Sequence, residues 1–363
     1  MIALLGKRDA PTDGVDDYCN FLGQALARRG IALTRVHVDW DREGWIGALR
    51  RLRRDSADWN GQWVLLQYTA LAWSRRGFPW GALAAAAILR RRGGRCAIVF
   101  HEASAYGATR WRERVRSACQ SWILRSLYRK SERCVFTIPL DSVVWLAQGD
   151  KKSAFIPIGA NIPECSDGPN NTDNRSQPDL TDGEIRVVVF GVTEFPVAPR
   201  EVAEIADITR DASGVIPNLR LVVMGRGASE VREDLAKAVE GCAAILDVRG
   251  VLPAEEISRE FCRAHALLYV RGSITLQRGS AIAGIACGLP IAGYGNGEPC
   301  APLAGAGIEW APWHDPKALA QALVRILSDP QRWMELHERN VRAHAKYFCW
   351  NRIAELYVER FAE

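Results

Sequence analysis

The stretch TLQRGSAIAGIACGLP, residues 275–290, carries the residue types of an anion-binding turn that leads into a buried helix. Arg278 has a fixed positive charge, Gly279 lets a ligand approach the backbone closely, and Ser280 offers a hydroxyl in the N-cap position of a helix expected over 280–287. The N-terminus of a helix favours phosphate because its N–H groups and its dipole both attract an anion. We therefore predict a phosphate site at this turn; the alternative is a solvent-facing arginine beside a tight turn.

Three further side chains stand where ligands are expected in an open α/β sheet. His101 and Glu102 directly follow the apolar run 96–100, so they should emerge at the carboxyl edge of the sheet. His101 is a candidate for ligand contact, and a structural histidine is the alternative. Asp13 and Glu102 are carboxylates able to orient a hydroxyl group or to act as a general base. Gly14 lets the backbone approach a ligand, and the alternative role of Asp13 is to cap the turn before it.

The elements that must position these residues form two α/β series, because short apolar runs alternate with amphipathic stretches. The first series predicts strands at 2–6, 31–38, 63–68, 96–100, 134–138 and 155–158, with helices at 15–29, 43–54, 80–92, 110–130 and 140–148. The second series predicts strands at 185–190, 219–224, 245–248, 266–270 and 289–292, with helices at 199–211, 229–240, 254–263, 280–287 and 316–328. Two more helices are expected in 330–363.

The domain organisation follows from these series and from one change in composition. Residues 164–184 are polar and rich in Asn, Asp, Gly and Pro, which predicts a linker between domains. Residues 1–163 and 185–330 then form two Rossmann-like domains that face each other across a cleft. The C-terminal helices, 331–363, are expected to cross back and pack on the first domain.

The charge of the chain is distributed unevenly. Residues 1–163 hold 26 lysines and arginines and 14 acidic residues, whereas the remainder holds 21 and 28, and nine of the thirteen tryptophans lie in the first half. A basic, Trp-rich domain indicates an anionic partner, such as a membrane leaflet or a phosphate-bearing molecule. The alternative is that these basic residues only form the solvated faces of helices. No nucleic-acid partner is expected, since no motif for one is present.

The ten cysteines are scattered, with no CxxC pair and no zinc spacing, and no secretory leader or membrane-spanning run is recognisable. This pattern favours buried thiols in a reducing cytoplasm over disulfides or a metal site. The segment 45–54 is a candidate helix at a membrane surface, with core packing of its apolar residues as the alternative.

Seven stretches, in matching order along the chain, resemble motifs of the GT-B-fold glycosyltransferases of family 4 (group 1). They are DGVDDY (13–18), HE (101–102), FIPIGANI (155–162), FGV (190–192), VMGRG (223–227), VRGVLPAEEI (248–257) and ACGLPI (286–291). The resemblance implies a donor domain in the second half and an acceptor domain in the first. It places the donor nucleotide-sugar against Gly14, Gly191, Arg200, Gly225, Arg226, Gly227, Val251, Leu252, Thr275, Leu276, Gln277, Arg278, Gly279 and Ser280.

The activity implied is transfer of a hexose, with retention of configuration, from a nucleotide-sugar to a glycan or polyprenyl-pyrophosphate-linked acceptor in polysaccharide synthesis. The resemblance also implies a cytoplasmic enzyme that needs no metal and no other cofactor, attached peripherally to the inner membrane face. His101, Glu102 and Asp13 are the residues to which it assigns contact with the donor sugar or the acceptor.

One departure from the family's pattern concerns two glutamates eight residues apart, which commonly bind the sugar and the ribose. The alignment puts them at Thr275 and Ala283, and residues 261–297 contain no Asp or Glu at all. Three interpretations are open. The Arg-Gly-Ser turn replaces the glutamates, because charge stabilisation of the leaving phosphate is the main requirement; or the chain is a partner subunit that binds without catalysis; or it is an epimerase of the same fold.

Overall fold

The computed structural model describes residues 1–9, 13–163, 183–295 and 299–362. The chain divides into two compact units, of which unit 1 comprises Met1–Ile158 with Trp350–Glu363, and unit 2 comprises Gly159–Cys349. Each unit contains a six-stranded sheet, and the strands pair in parallel throughout. Of the predicted linker 164–184, residues 164–182 lie outside the described residues.

Unit 1 begins with alternating strands and helices, as the apolar runs predict. Its elements, in chain order, are β1 Ile2–Leu5, α1 Gly14–Ala27, β2 Thr34–His37, α2 Trp40–Asp55, β3 Trp63–Tyr68, α3 Trp80–Arg91, β4 Arg95–Phe100, α4 Trp111–Lys130, β5 Arg133–Phe136 and β6 Ser153–Phe155. The sheet order is β2-β1-β3-β4-β5-β6. Strands β1 and β3 are buried along their whole length, which explains their near-continuous apolar sequence.

Unit 2 repeats this architecture with its own sheet. Its elements are β7 Ile185–Phe190, α5 Ala198–Ser213, β8 Leu219–Met224, α6 Arg232–Ala238, β9 Ile245–Gly250, α7 Ala254–Arg263, β10 Ala266–Ser273, α8 Gly279–Ala286, β11 Ile291–Gly295, α9 Ala301–Ala304, β12 Ile308–Pro312, α10 Pro316–Ser328 and α11 Pro330–Ala343. The sheet order is β12-β11-β10-β7-β8-β9. The predicted α/β class with two Rossmann-like domains is therefore confirmed.

The two C-terminal helices belong to different units, whereas the sequence led us to expect both on the first domain. Trp333 and Leu336 of α11 are buried in the core of unit 2, and the Trp333 indole N–H donates to the His265 carbonyl (2.7 Å). The last helix, α12 Trp350–Phe361, packs in unit 1, where Tyr357 forms a hydroxyl–hydroxyl hydrogen bond (2.8 Å) with Tyr18 of α1. Between them, residues 344–348 form one π-helical turn.

Two local expectations are wrong. The helix predicted at 140–148 is only a 3₁₀ turn over Leu140–Ser142, because Val143 and Trp145 are used as separate anchors in the core, with the Trp145 indole N–H donating to the Ala103 carbonyl (2.7 Å). The scattered cysteines favoured thiols over disulfides. Among the described residues, eight cysteines are free and Cys262 is disulfide-bonded.

The candidate interfacial segment 45–54 contributes chiefly to the core. The Trp45 ring stacks on Trp40 at 4.9 Å, and Ala48 and Leu52 are buried. Ile46 is exposed. Within the described residues, no helix combines the length and the apolar character needed to cross a membrane.

Candidate functional site

The carboxyl edge of the unit 2 sheet contains a topological switch point between β7 and β10. The chain leaves β7 towards β8 on one side and later returns to β10 on the other side, so the loops after β7 and β10 diverge. Such a crevice is where open α/β sheets bind ligands. Gly191 follows β7 with φ of 82°, and Arg271 and Gly272 lie near the carboxyl end of β10.

Arg271 reaches this crevice because the end of β10 bulges away from β11. The register passes from Tyr269 opposite Gly293 directly to Ser273 opposite Tyr294, which leaves residues 270–272 outside the regular ladder. Bulges of this kind redirect side chains beside ligand sites. The guanidinium of Arg271 lies against Gly191, since a Cβ placed on that glycine would be 2.7 Å from Arg271 Nη1. No pattern in the sequence indicated this residue.

The predicted phosphate turn leads directly into α8. Arg278, rather than Ser280, is the N-cap residue, because the helix begins at Gly279 and the N–H groups of Ala281 and Ile282 already donate to the Arg278 carbonyl (2.9 and 3.1 Å). Ser280 therefore lies in the first turn. A Cβ placed on Gly279 would meet no atom within 4 Å, so the start of the helix is open.

The rest of the turn divides into exposed and buried positions. Thr275, Gln277 and Arg278 are exposed, whereas Leu276 is buried and anchors the turn. The Arg278 guanidinium lies next to the bulge, since a Cβ placed on Gly272 would be 3.7 Å from Arg278 Nη2. Thr275 and Ala283 are the residues that the sequence resemblance aligns with the family's two glutamates, and Ala283 is buried.

Two guanidinium groups thus converge on one part of the crevice. Burial raises the pKa of the Tyr269 hydroxyl, and Arg278 and Arg271 act in the opposite direction, so both cations are close to that residue. Among the residues that the structure describes, neither arginine forms an ion pair, and the buried Arg271 Nε has no hydrogen-bond partner. Two guanidinium groups without an ion pair, beside an open helix N-terminus, provide the chemistry of an anion site, although the Glu201 carboxylate is also close to Tyr269.

The glycine turn after β8 is held by backbone hydrogen bonds to two neighbouring segments. Gly225 N–H donates to the Gly250 carbonyl (2.6 Å), and the Arg226 carbonyl accepts from Val192 N–H (2.9 Å). A side chain on Gly227 would collide with the Val192 carbonyl at 2.1 Å, so this glycine permits close packing of two loops. After β9, Val251 is exposed and Leu252 is half-buried, which leaves both accessible at the sheet edge.

Arg200 belongs to a separate cluster beside the crevice. Its Nε lies 3.5 Å from Glu204 Oε1, and its guanidinium lies over the Trp313 ring at 5.4 Å. Burial raises the pKa of the Glu204 carboxyl, and Arg200 opposes this shift. Trp313 also lies near Gly272, so this ring is close both to Arg200 and to the bulge at the end of β10.

The loop between β7 and α5 is held by one buried carboxylate. Glu201 accepts hydrogen bonds from the N–H and the hydroxyl of Thr193, both at 2.7 Å. This arrangement fixes the loop that follows Gly191. No pattern in the sequence indicated Glu201, because a glutamate in a helix is usually solvated.

The carboxyl end of α8 is held by two polar side chains of α11. The Asn340 side chain accepts from Gly307 N–H (2.7 Å) and donates to the Leu289 carbonyl (2.8 Å), while His337 Nδ1 donates to the Gly288 carbonyl (2.7 Å). Both side chains are buried. Helix α8 is therefore anchored at the end opposite the predicted phosphate turn.

In unit 1, the structure places Asp13 and Gly14 at the start of α1. Asp13 is the N-cap residue, and its Oδ1 accepts from the N–H groups of Val15 (2.9 Å) and Asp16 (3.1 Å), while its Oδ2 accepts from Asp9 N–H (3.0 Å). The carboxylate therefore has the capping role that was the alternative for it. Gly14 is the first helical residue and is exposed.

His101 and Glu102 follow β4 at the carboxyl edge of the unit 1 sheet. His101 Nε2 donates to Gln67 Oε1 (2.9 Å), and its ring packs edge-on against Tyr18 at 5.0 Å. Glu102 accepts from Ala70 N–H (2.7 Å) and from the Tyr106 hydroxyl (2.9 Å). Burial lowers the pKa of His101 to about 4, although the charge of Asp13 acts in the opposite direction. His101 is therefore neutral at pH 7.

The lowered pKa of His101 predicts a pH-dependent stability. The unfolded chain takes up a proton near pH 6.5, whereas folded His101 resists it, so stability is lost as the pH falls from 6.5 towards 4. Between pH 7 and pH 4, the free energy of unfolding should fall by about 3 kcal/mol more in the wild type than in His101→Gln. Urea unfolding at each pH measures this difference. Parallel profiles for the two proteins would show that His101 does not titrate as inferred.

Within the ranges 1–9, 13–163, 183–295 and 299–362, no group of three or more His, Cys, Asp or Glu side chains is arranged to hold a metal ion. The chemistry identified at the two sheet edges is that of cations, backbone N–H groups, a neutral imidazole and hydrogen-bonded carboxylates.

Comparisons with known proteins find similarity at the level of structure. No protein-family model matches the chain, and a search of curated proteins finds no match. A sucrose-phosphate synthase from Thermosynechococcus elongatus is similar over 99% of both chains, with 18% identity and a TM-score of 0.66. HepE from Anabaena, in complex with UDP and glucose, is similar over 99% of both chains, with 11% identity and a TM-score of 0.65.

A third similar structure is a Listeria monocytogenes protein assigned as a UDP-N-acetylglucosamine 2-epimerase. It matches 98% of this chain and 94% of its own length, with 10% identity and a TM-score of 0.60. The three matches extend over both units, so the likeness concerns the whole architecture. The resemblance to GT-B proteins is confirmed at the level of the fold: this chain has the two-domain GT-B fold.

Proposed function

We propose that this chain transfers a hexose from a nucleotide-sugar to a glycan or lipid-linked acceptor, and that unit 2 binds the donor. The observation that carries the proposal is the pair Arg271 and Arg278, which converge without a carboxylate partner among the described residues, beside Gly191 and the open start of α8. A diphosphate needs this combination of fixed cations and backbone donors. UDP bound to the structurally similar HepE supports the same ligand class.

The arginine pair also accounts for the absent glutamates. Transfer with retention, through departure of the nucleoside diphosphate, requires stabilisation of the negative charge that develops on the leaving phosphate. Two guanidinium groups supply that stabilisation, so we propose that neither a metal ion nor another cofactor is needed. In the family, glutamates at the positions of Thr275 and Ala283 would contact hydroxyls of the sugar and the ribose. Other groups then make those contacts in this chain.

Unit 1 is the proposed acceptor domain, with its site at the carboxyl edge of its sheet. His101 contacts the ligand as a neutral imidazole, since its pKa is about 4. Asp13 and Glu102 position the backbone around this site, because their oxygens already accept hydrogen bonds from backbone N–H groups. We propose a cytoplasmic protein of polysaccharide synthesis that attaches to an anionic membrane surface.

Turnover with a panel of nucleotide-sugars tests the proposed function. The protein is incubated with UDP-, GDP- and dTDP-hexoses together with lipid-linked and glycan acceptors, and release of nucleoside diphosphate and glycosylated product are both measured. We expect release with one donor, dependent on acceptor. Tight nucleotide binding without release across the panel would instead establish a non-catalytic binding subunit.

A sugar-nucleotide epimerase is the second candidate, because the donor-loop carboxylates are absent and a structure assigned as such an enzyme is similar. Analysis of the recovered nucleotide-sugar by NMR separates the two activities. Inversion of a sugar carbon without any acceptor would favour the epimerase, whereas transfer leaves the unreacted donor unchanged.

A further inference from the structure

One helix of unit 1, α4, presents an exposed aromatic and basic face that no other described element covers. Trp111, Val115 and Trp122 of this helix have exposures of 70, 55 and 51%, and Trp80 of α3 has an exposure of 54%. We infer that this surface, called here the α4 face, binds an anionic lipid bilayer. The inference rests on the membrane attachment proposed above and locates it in unit 1, but it does not depend on the proposed activity of unit 2.

The spacing along α4 aligns these side chains. An α-helix turns about 100° per residue, so Trp111, Val115 and Trp122 project within about 40° of one another. The buried residues Ile123, Leu124 and Leu127 are on the opposite side. The α4 face therefore points directly away from the core of its unit, and its aromatic groups are not needed for internal packing.

Trp80 extends the same face from the neighbouring helix. Its ring lies 5.4 Å from that of Trp122, tilted by 48°, so the two indoles form one continuous apolar surface. The Arg112 guanidinium lies 5.4 Å from the Trp111 ring. Indole rings beside cationic side chains are the composition found at membrane–water interfaces, where the ring enters the headgroup region and the cation meets the lipid phosphates.

The charge of these two helices identifies the occupant as anionic. Helices α3 and α4 contain eight basic residues and one acidic residue, Glu113. Glu113 accepts hydrogen bonds from Thr109 N–H (2.8 Å) and Arg110 N–H (3.0 Å), and these bonds lower its pKa to about 2. That carboxylate is thus used to cap the helix. The exposed Arg114 and Arg125 lie on one flank of the α4 face and would contact lipid headgroups.

The α4 face fits a bilayer better than the segment 45–54 does. In α2, the Trp45 ring is stacked on Trp40 and only Ile46 is strongly exposed among the large apolar groups. In α4, by contrast, two tryptophans and a valine are exposed together beside basic groups. We therefore assign membrane contact to α4 with Trp80 rather than to α2.

Vesicle flotation with the full-length protein tests this inference. Vesicles of phosphatidylcholine alone are compared with vesicles that contain about 30% phosphatidylglycerol, at low and at high salt. We expect binding to the anionic vesicles only, and we expect it to weaken as salt rises because exposed charges are screened.

Two variants and two matched controls locate the contact. Arg114→Gln with Arg125→Gln should weaken the partition coefficient about 25-fold, since each basic residue near an anionic surface contributes about 1 kcal/mol, or about fivefold. Trp111→Ser with Trp122→Ser should reduce binding by at least about tenfold, because the indoles supply the apolar area that enters the interface. Ile46→Ser combined with Arg53→Gln and Arg54→Gln on α2, and Phe195→Ser at an exposed site of unit 2, should leave binding unchanged.

Three results would overturn the inference. The first is equal binding to neutral and anionic vesicles, and the second is loss of binding in the α2 control with retention in both α4 variants. The third is a concentration-dependent dimer, seen by light scattering, that disappears in Trp111→Ser/Trp122→Ser while vesicles do not bind; the α4 face would then be covered by a second copy. Circular dichroism verifies that each variant is folded, and the salt dependence of the wild type tests the charge contribution without any variant.

Discussion

Replacing Arg278 by alanine is expected to weaken the binding of a nucleoside diphosphate by roughly 1.5–3 kcal/mol, the range of a hydrogen bond to a charged group. This corresponds to a dissociation constant roughly 10- to 150-fold higher. The reason is that Arg278 lies at the open start of α8, beside the bulge that holds Arg271, and forms no ion pair among the described residues that an anion would have to break. Isothermal titration with UDP, GDP and dTDP measures the change for the nucleotide that binds most tightly.

The control for this experiment is Arg342→Ala, which removes an exposed arginine of unit 2 that pairs with Glu338 on α11. Its dissociation constant should equal that of the wild type. Arg271→Ala should weaken binding in the same direction as Arg278→Ala, because both guanidinium groups act on the same region around Tyr269. If Arg278→Ala binds the nucleotide as tightly as the wild type does, Arg278 is not part of the donor site.

Replacing Asn340 by leucine is expected to lower the free energy of unfolding of unit 2 by about 2–5 kcal/mol. The change leaves the Gly307 N–H and the Leu289 carbonyl buried without their partner, and each such group costs about 1–3 kcal/mol. The Gly307 carbonyl is affected less, since it keeps the hydrogen bond from Ile291 N–H (3.1 Å). Urea unfolding monitored by fluorescence and by circular dichroism gives the change in stability.

Gln321→Ala is the matched control, because Gln321 is an exposed amide on α10 of the same unit. It should change the stability by no more than about 0.5 kcal/mol. Asn340→Leu should also weaken nucleotide binding, since Asn340 fixes the end of α8 opposite the proposed anion-binding turn. A loss of stability below about 1 kcal/mol would show that these hydrogen bonds contribute little net energy.

Much of the fold was predictable because it depends on local patterns. Apolar runs such as 63–68 and 219–224 become strands that are buried on both faces, and the glycines at 191 and 225 mark where two strands end. The turn at 275–280 and the helix after it were also recognisable, because Arg, Gly and Ser precede an apolar run that ends at Gly-Leu-Pro. The position of Arg278 beside α8 was thus accessible from neighbouring residues alone.

The remaining features depend on contacts between distant parts of the chain. Arg271 reaches the crevice only because β10 and β11 lose register at one point, which no local pattern indicates. Ser280 was assigned as the N-cap because it is the common capping residue, whereas the helix starts earlier, at Gly279. The apolar anchors of α11 and α12 indicate amphipathic helices, but not which of two similar cores each one joins.

The division of the C-terminal helices has a consequence for the order in which the protein is completed during synthesis. Unit 2 is continuous in the chain, so all of its residues have been added before α12 is made. Unit 1 contains both the first strand and the last helix, and Tyr18, Leu22 and Leu26 of α1 share a core cluster with Trp350, Ile353 and Tyr357 of α12. On the ribosome, therefore, the half of the protein that is translated first is the half that is finished last.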